Sequence, residues 1–153
     1  MGLSDTSNLC GALEFAENIS KVGTQPIIGT QIYFNFEDTR GLIPLIALNN
    51  KGYKRIIELS SKSYLENDAI SDPHLDIKEL LTDTDGVVIL SGTVQGLFGK
   101  LFEKGRFEEI TKLYKDLSSK FNDRFYLEIQ RHGDQNEISF EKFNLEKSLK
   151  IKI

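Results

Sequence analysis

Tryptophan is absent from this chain, cysteine occurs once, histidine twice and proline three times in 153 residues. A lone cysteine, Cys10, can neither close an internal disulfide nor build a thiolate metal cluster, which fits a reducing compartment. It reads as a small buried apolar side chain. Imidazole chemistry is confined to His74 and His132. No apolar run approaches the roughly 20 residues that span a bilayer. The first residues also lack the basic-then-apolar order of a secretory signal, so a cytoplasmic protein with no membrane partner is expected. An excess of positive charge is missing too: 19 Lys and Arg stand against 23 Asp and Glu, a net charge of -4. That excludes a uniformly basic nucleic-acid surface but leaves local basic patches open.

Several motifs are also missing. The stretches "SGTVQGLFG" and "LCGALEF" lack the Gly-Lys-Ser/Thr ending of a phosphate-binding loop, and their glycine spacing does not fit a dinucleotide fingerprint. Gly92, Gly96 and Gly99 therefore read as turn and close-packing positions. With no Gly-x-Ser-x-Gly elbow, Ser91 has no basis as a nucleophile.

What is present is one domain's worth of chain with 39% hydrophobic residues, enough for a buried core. "GLSD" reads as a strand. A helix follows, with Asn8 as its N-cap, Leu9, Ala12, Leu13, Ala16 and Ile19 at helical spacing, and Gly23 past its end. "QPIIGTQIYFNF" and "LIPLIAL" read as strands around the turn-like "EDTRG", although Pro44 argues against a fully paired central position. "NNKGYKRIIELSSKSYL" gives a helix with Tyr53, Ile56, Ile57 and Tyr64 on one stripe. "ENDAISDPHLD" looks like a surface loop, which makes His74 a surface polar residue, and Asp76 caps a short helix at "IKELL". "GVVILSG" is the clearest buried strand. Then come a helix carrying Leu97, Phe98, Leu101 and Phe102, an amphipathic helix over residues 107–121, the strand "RFYLEIQ", and a last helix over residues 139–149. In the charge run "EKGRFEEITKLYKDLSSK" opposite charges recur at helical spacing, so a solvated face is the default and a partner-binding face the alternative.

Strands alternating with helices predict a mostly parallel sheet or barrel built from βα units. The abrupt start in a strand, and the strand-like "IKI" at the end, suggest a piece of something longer. Functional groups in such folds gather at the carboxyl ends of strands, here Asp5, Gln31, Asn49, Ser91, Gly92 and Gln130 to His132. Asp5 and His132 could form an acid/base couple or supply two metal ligands. Two residues fall short of the three protein ligands a catalytic zinc takes. Against that, "SDTSN" before a helix suits backbone capping, and His132 beside Gly133 suits a hydrogen-bonded strand-to-loop turn.

Taken in order, "GLSDTSNLCGALEF", "QPIIGTQIYF", "LIPLIALNNKGYKRIIELSSKSYLE", "GVVILSG", "LFGKLFEKG" and "DRFYLEIQRHG" resemble the PHP (polymerase and histidinol phosphatase) domain of the bacterial DNA polymerase III alpha subunit. "SDTSNLCG" and "ALNNKGY" look like the proteobacterial type. The resemblance runs from residue 2 to about residue 150, so residues 1–153 are expected to be one partial PHP domain. It implies an α/β fold, an incomplete distorted (βα) barrel lacking its first and last strands.

Active members of that family hold a trinuclear metal cluster at the strand ends and hydrolyse phosphoesters. The resemblance places Asp5 and Thr6 where the family has Asp-His, Gln31 where it has Glu, and His132 on the family's histidine in "QRHG". A further histidine corresponds roughly to Gly41. A neutral amide supplies no charge to a metal and is no base. Asp5, Thr6, Gln31 and His132 are therefore expected to be vestigial positions, with no catalytic or metal-binding residue and no cofactor; magnesium would belong to a palm domain that this chain lacks. The expected role is a scaffold within the catalytic subunit of a replicative polymerase, docking the proofreading exonuclease (epsilon) subunit and packing against the polymerase thumb and palm, with DNA reached through the parent chain. The alternatives are a residual metal-dependent phosphoesterase or 3'-5' exonuclease, and a free-standing paralogue without polymerase domains.

Overall fold

The computed structural model describes residues 1–68 and 70–151, the side chains of 150 and 151 excepted. Its centre follows from pleating, which sends alternate side chains to opposite faces. In β2 (Ile27–Phe36), Thr30, Ile32 and Phe34 are fully buried, while Gln31 and Tyr33 point to the other face. In β3 (Thr39–Ala47), Gly41, Ile43 and Leu45 take the buried side, and Leu42 and Ile46 the more open one. These two strands form an antiparallel hairpin closed by Glu37 and Asp38, with Phe36 opposite Thr39.

The other strands flank this hairpin. β1 (Gly2–Thr6) runs parallel to β2, β5 (Val87–Leu90) antiparallel to β3, and β6 (Phe125–Tyr126) parallel to β5, giving the order β1-β2-β3-β5-β6. β4 (Leu75–Asp76) pairs with the far end of β2. The sheet is thus mixed rather than mostly parallel. No crossover helix separates β2 from β3, and a two-residue turn can only join antiparallel strands. Pro44 does stand in an interior strand, opposite Gln31. The ladder to β5 stops at Leu45, opposite Ile89, so the missing N–H breaks no bond on that side.

Helices cover the buried face. α1 (Ala12–Lys21) buries only Ala12 and is followed, past its cap Val22, by Gly23, whose φ of 74° suits a residue without a Cβ. It starts later than the sequence suggests: Asn8 accepts from Cys10 N in a preceding turn, and Gly11 holds the cap position. Cys10 is exposed, not buried. In α2 (Asn50–Leu65) the buried stripe is Gly52, Arg55, Ile56, Leu59 and Ser63, whereas Ile57 and Tyr64 face outward. Gly52 brings the helix so close that an added Cβ would lie 1.7 Å from Gly86 O. That contact fixes the rotation of the helix about its axis. Asp76 caps α3 (Ile77–Leu80) by accepting from Lys78 N.

α4 (Leu97–Glu103) and α5 (Phe107–Phe121) fill the core with Leu97, Phe98, Leu101, Ile110, Tyr114, Leu117 and Phe121. Tyr114 packs between Phe98 and Phe125, with ring centroids 4.8 and 5.5 Å away. A 3-10 turn (Asn122–Arg124) leads into β6. β6 is shorter than "RFYLEIQ" suggests because β5 ends at Leu90 and Gly92, at φ 74°, turns the chain aside. Glu128 N then donates to Ser91 Oγ rather than to a strand. α6 (Gln135–Ile151) begins four residues before the helix read from the sequence, because Asp134 accepts from Asn136 N. The strand suggested at "IKI" falls partly on Ile151, which ends this helix, and otherwise on residues 152–153, outside the described residues.

Candidate functional site

The sheet face opposite the helices forms a cleft of about 410 Å³. Its floor is apolar: Leu42, Pro44 and Ile46 from β3 and Leu90 from β5. Its polar groups are Ser4, Gln31, Thr93, Gln95, Glu128 and Gln130. Glu128 is the one ionisable side chain among them, and Gln130 donates to it at 3.0 Å. Period-two pleating decides which groups reach this face. Thr6 pairs with Gln31 in the parallel register of β1 and β2, so the two sit side by side on one face of the sheet, and of the two Gln31 lines the cleft.

Asp5 pairs with Thr30, which is fully buried on the helix side, and Thr30 Oγ1 donates to Asp5 O at 2.8 Å. The Asp5 carboxylate points to the loop before α1, where a Cβ at Gly11 would meet its Oδ2 at 3.6 Å. His132 lies beyond the last cleft residue, Gln130, on an exposed bend, with its side chain 72% accessible. Its backbone N donates to Glu137 Oε2 at 2.7 Å, and its Nδ1 is 2.8 Å from Glu137 Oε1. These bonds hold the Glu137 carboxyl below its usual pKa. The structure therefore brings Thr6 and Gln31 together and separates both from the Asp5 carboxylate and from His132.

Of the other strand-end positions, Gln31, Gly92 and Gln130 line the cleft, and Ser91 is buried beside it. Asn49 does not belong there. β3 runs antiparallel, so its carboxyl end lies at the opposite edge of the sheet, where Leu48 N donates to Gly86 O and Asn49 caps α2. Gly41 faces the helices: a Cβ there would come 2.3 Å from Leu97 N and Cα. A ligand histidine at Gly41 could neither fit nor reach the cleft. His74 is half-buried rather than free on the surface, its ring between Asp72 O at 2.7 Å and Arg40 Nη2 at 3.2 Å. Thr93 and Gln95 were not legible as cleft residues, because they stand on an irregular segment whose direction no periodicity gives; Glu128 lies in the expected strand "RFYLEIQ", but on the irregular stretch past the end of β6.

A family model of the PHP domain matches residues 1–132. The chain belongs to the PHP domain family. This PHP chain is 34% identical over 149 residues to the DNA polymerase III subunit alpha of Vibrio cholerae, which covers 95% of this chain and 13% of that protein. It is 37% identical over 142 residues to the corresponding subunit of Haemophilus influenzae, covering 90% and 12%. The Caulobacter vibrioides subunit gives 33% over 145 residues, covering 86% and 12%. The chain thus spans about an eighth of the length of the curated relatives it matches. In fold it is similar to a Bifidobacterium adolescentis protein provisionally assigned as a metal-dependent phosphoesterase, with TM-score 0.58 and 12% identity over 99% of this chain and 73% of that one. The incomplete PHP-type barrel expected from the sequence is the fold observed, as an open mixed sheet with helices on one face.

The side chains here do not fit a metal of the kind that neighbour's assignment implies. Among the described residues no three His, Cys, Asp or Glu side chains are placed to hold one ion, and the cleft offers amides and hydroxyls with a single carboxylate. Neutral oxygens alone are poor ligands for a catalytic divalent ion. No helix among the described residues is long and apolar enough to cross a membrane.

Proposed function

We propose that this chain is the PHP portion of a DNA polymerase III alpha subunit and serves DNA replication as a cytoplasmic scaffold and docking surface rather than as a hydrolase. The observation that carries this reading is the pair Thr6 and Gln31. They are paired across β1 and β2, Gln31 lines the cleft, and neither can act as a general base or as an anionic ligand. Asp5, Thr6, Gln31 and His132 are then relics of a metal site, and the chain itself contributes no catalytic residue and no cofactor. Nucleotidyl transfer, with its magnesium, belongs to other domains of the parent subunit. The docked partner is the proofreading exonuclease (epsilon) subunit, with the polymerase thumb and palm packed alongside.

Two measurements on the natural full-length subunit test this. Elemental analysis and a phosphodiesterase assay should find no stoichiometric metal and no hydrolysis attributable to this domain. Bound metal with hydrolysis abolished by His132→Ala would overturn the scaffold reading. Calorimetric titration with the epsilon subunit should show binding that is lost when this domain is deleted, and unchanged binding would remove the docking role.

A further inference from the structure

Far from the cleft, on the outer surface of α5 and α6, the local charge reverses sign. Phe107, Glu108, Thr111, Lys112, Lys115 and Lys147 line a groove of about 330 Å³. Three ammonium groups meet one carboxylate there, in a chain of net charge -4. Lys112 and Lys115 are exposed on one face of α5, at the spacing that makes helical neighbours. Several other surface cations are paired: Lys51 with Asp85, Lys62 with Glu58 and Glu79, Lys104 with Asp38, Arg106 with Glu37, Asp38 and Glu109, and Arg131 with Glu141. Lys54, Lys78, Lys120 and Lys142 are exposed without such a pair among the described residues, but none of them lines this groove. Among the described residues no ion pair engages Lys112, Lys115 or Lys147.

The groove also carries a fixed aromatic surface. Phe107 is 45% exposed, and its ring is held by Phe102 edge-on at 5.3 Å and by Phe143 at 5.6 Å. Lys147 Nζ sits 5.1 Å from the Phe143 ring centroid. A rigid π-face flanked by ammonium groups matches the two recurring parts of a strand of bases, a stackable ring and a phosphate. An acidic polypeptide would use the lysines but has no recurring group for the ring.

We propose that this groove docks single-stranded nucleic acid, with phosphates on Lys112, Lys115 and Lys147 and a base against Phe107. The proposal is independent of the scaffold reading, since no cleft residue takes part. It is tested by fluorescence anisotropy of a labelled oligothymidylate with the 153-residue chain. With about three phosphates neutralised, affinity should fall roughly tenfold to twentyfold between 50 and 200 mM salt. Lys112→Glu/Lys115→Glu should weaken binding at least tenfold at the lower salt, and Phe107→Leu, which keeps an apolar side chain against Phe102 and Phe143, at least threefold. Thermal unfolding of each variant confirms the fold. No binding by the wild-type chain at the lower salt, or unchanged affinity in the lysine variant, overturns the proposal. So does polyglutamate binding as tight as that of the oligonucleotide and indifferent to Phe107→Leu, which would assign the groove to an acidic protein.

Discussion

Arg55 is the residue on which most of one corner depends. It is 5% exposed, and its guanidinium donates to Glu79 O at 2.7 Å, Thr82 Oγ1 at 2.8 Å and Asp83 O at 3.2 Å, with Glu58 as an ion-pair partner at 3.0 Å. Five donors in one planar fork allow a single side chain to tie α2 to the segment after α3. Arg55→Ala strands those carbonyls and leaves the carboxylates without their buried counter-charge. It should cost about 3–5 kcal/mol, read as a lower urea midpoint. A loss under about 1 kcal/mol would show that water replaces the guanidinium. Glu79 adds a pH dependence. Lys62, hydrogen-bonded at 2.8 Å, holds its carboxyl below the ordinary value, with burial opposing and Arg55 assisting. A carboxyl lowered on folding contributes stability that is complete above its unfolded pKa and is lost as pH falls through the folded one. Wild-type stability should therefore drop as acidity passes below the ordinary glutamate value, and Glu79→Gln should reduce that slope. Parallel slopes in the two proteins would dismiss Glu79 as a contributor.

Among elements, the contact of β3 with α4 shows most plainly what spacing can and cannot reveal. Gly41 lets the strand approach the start of the helix until no Cβ fits, 2.3 Å from Leu97 N and Cα. Both contacting atoms are backbone, so the strain cannot be relieved by a rotamer change. Gly41→Ala should destabilise by about 1–3 kcal/mol or more, measured by chemical denaturation. Wild-type stability would mean that α4 slides freely. In the sequence Gly41 looked like the loose counterpart of a ligand histidine; its true role depends on a helix more than fifty positions later, which no local pattern encodes. The strands "IIGTQIYF" and "GVVIL" and the helix over residues 107–121 were legible, because burial imposes periods of two and 3.6 on their apolar residues. β4, two residues long, and the early start of α6 at Gln135 depend on pairing and capping geometry. Within the site, Thr6 and Gln31 were legible as departures from a family motif. That Asp5 turns to the helix side followed only from its register with the buried Thr30.

For the whole molecule, the decisive feature is that, among the described residues, one face and both edges of the sheet are open. Among the described residues β1 hydrogen-bonds to β2 alone, and β6 to β5 over two residues. The cleft floor is apolar at Leu42, Pro44, Ile46 and Leu90. Unpaired strand edges beside apolar surface favour pairing with another chain. A net charge of -4 opposes association only weakly at physiological salt, where repulsion is screened beyond about 8 Å. The 153-residue chain should therefore pass from monomer toward dimers and larger species as its concentration rises from micromolar to near millimolar, followed by size-exclusion chromatography with light scattering. Ile46→Lys puts a charge on the cleft side of β3, where the side chain is only partly buried, and should move the onset to higher concentration without lowering the urea midpoint by more than about 1 kcal/mol. A wild-type chain that stays monomeric across the series would mean that the apolar floor is already shielded within one molecule. Association that persists unchanged in Ile46→Lys would instead place the contact at the β1 edge, where backbone pairing is indifferent to the charge on β3.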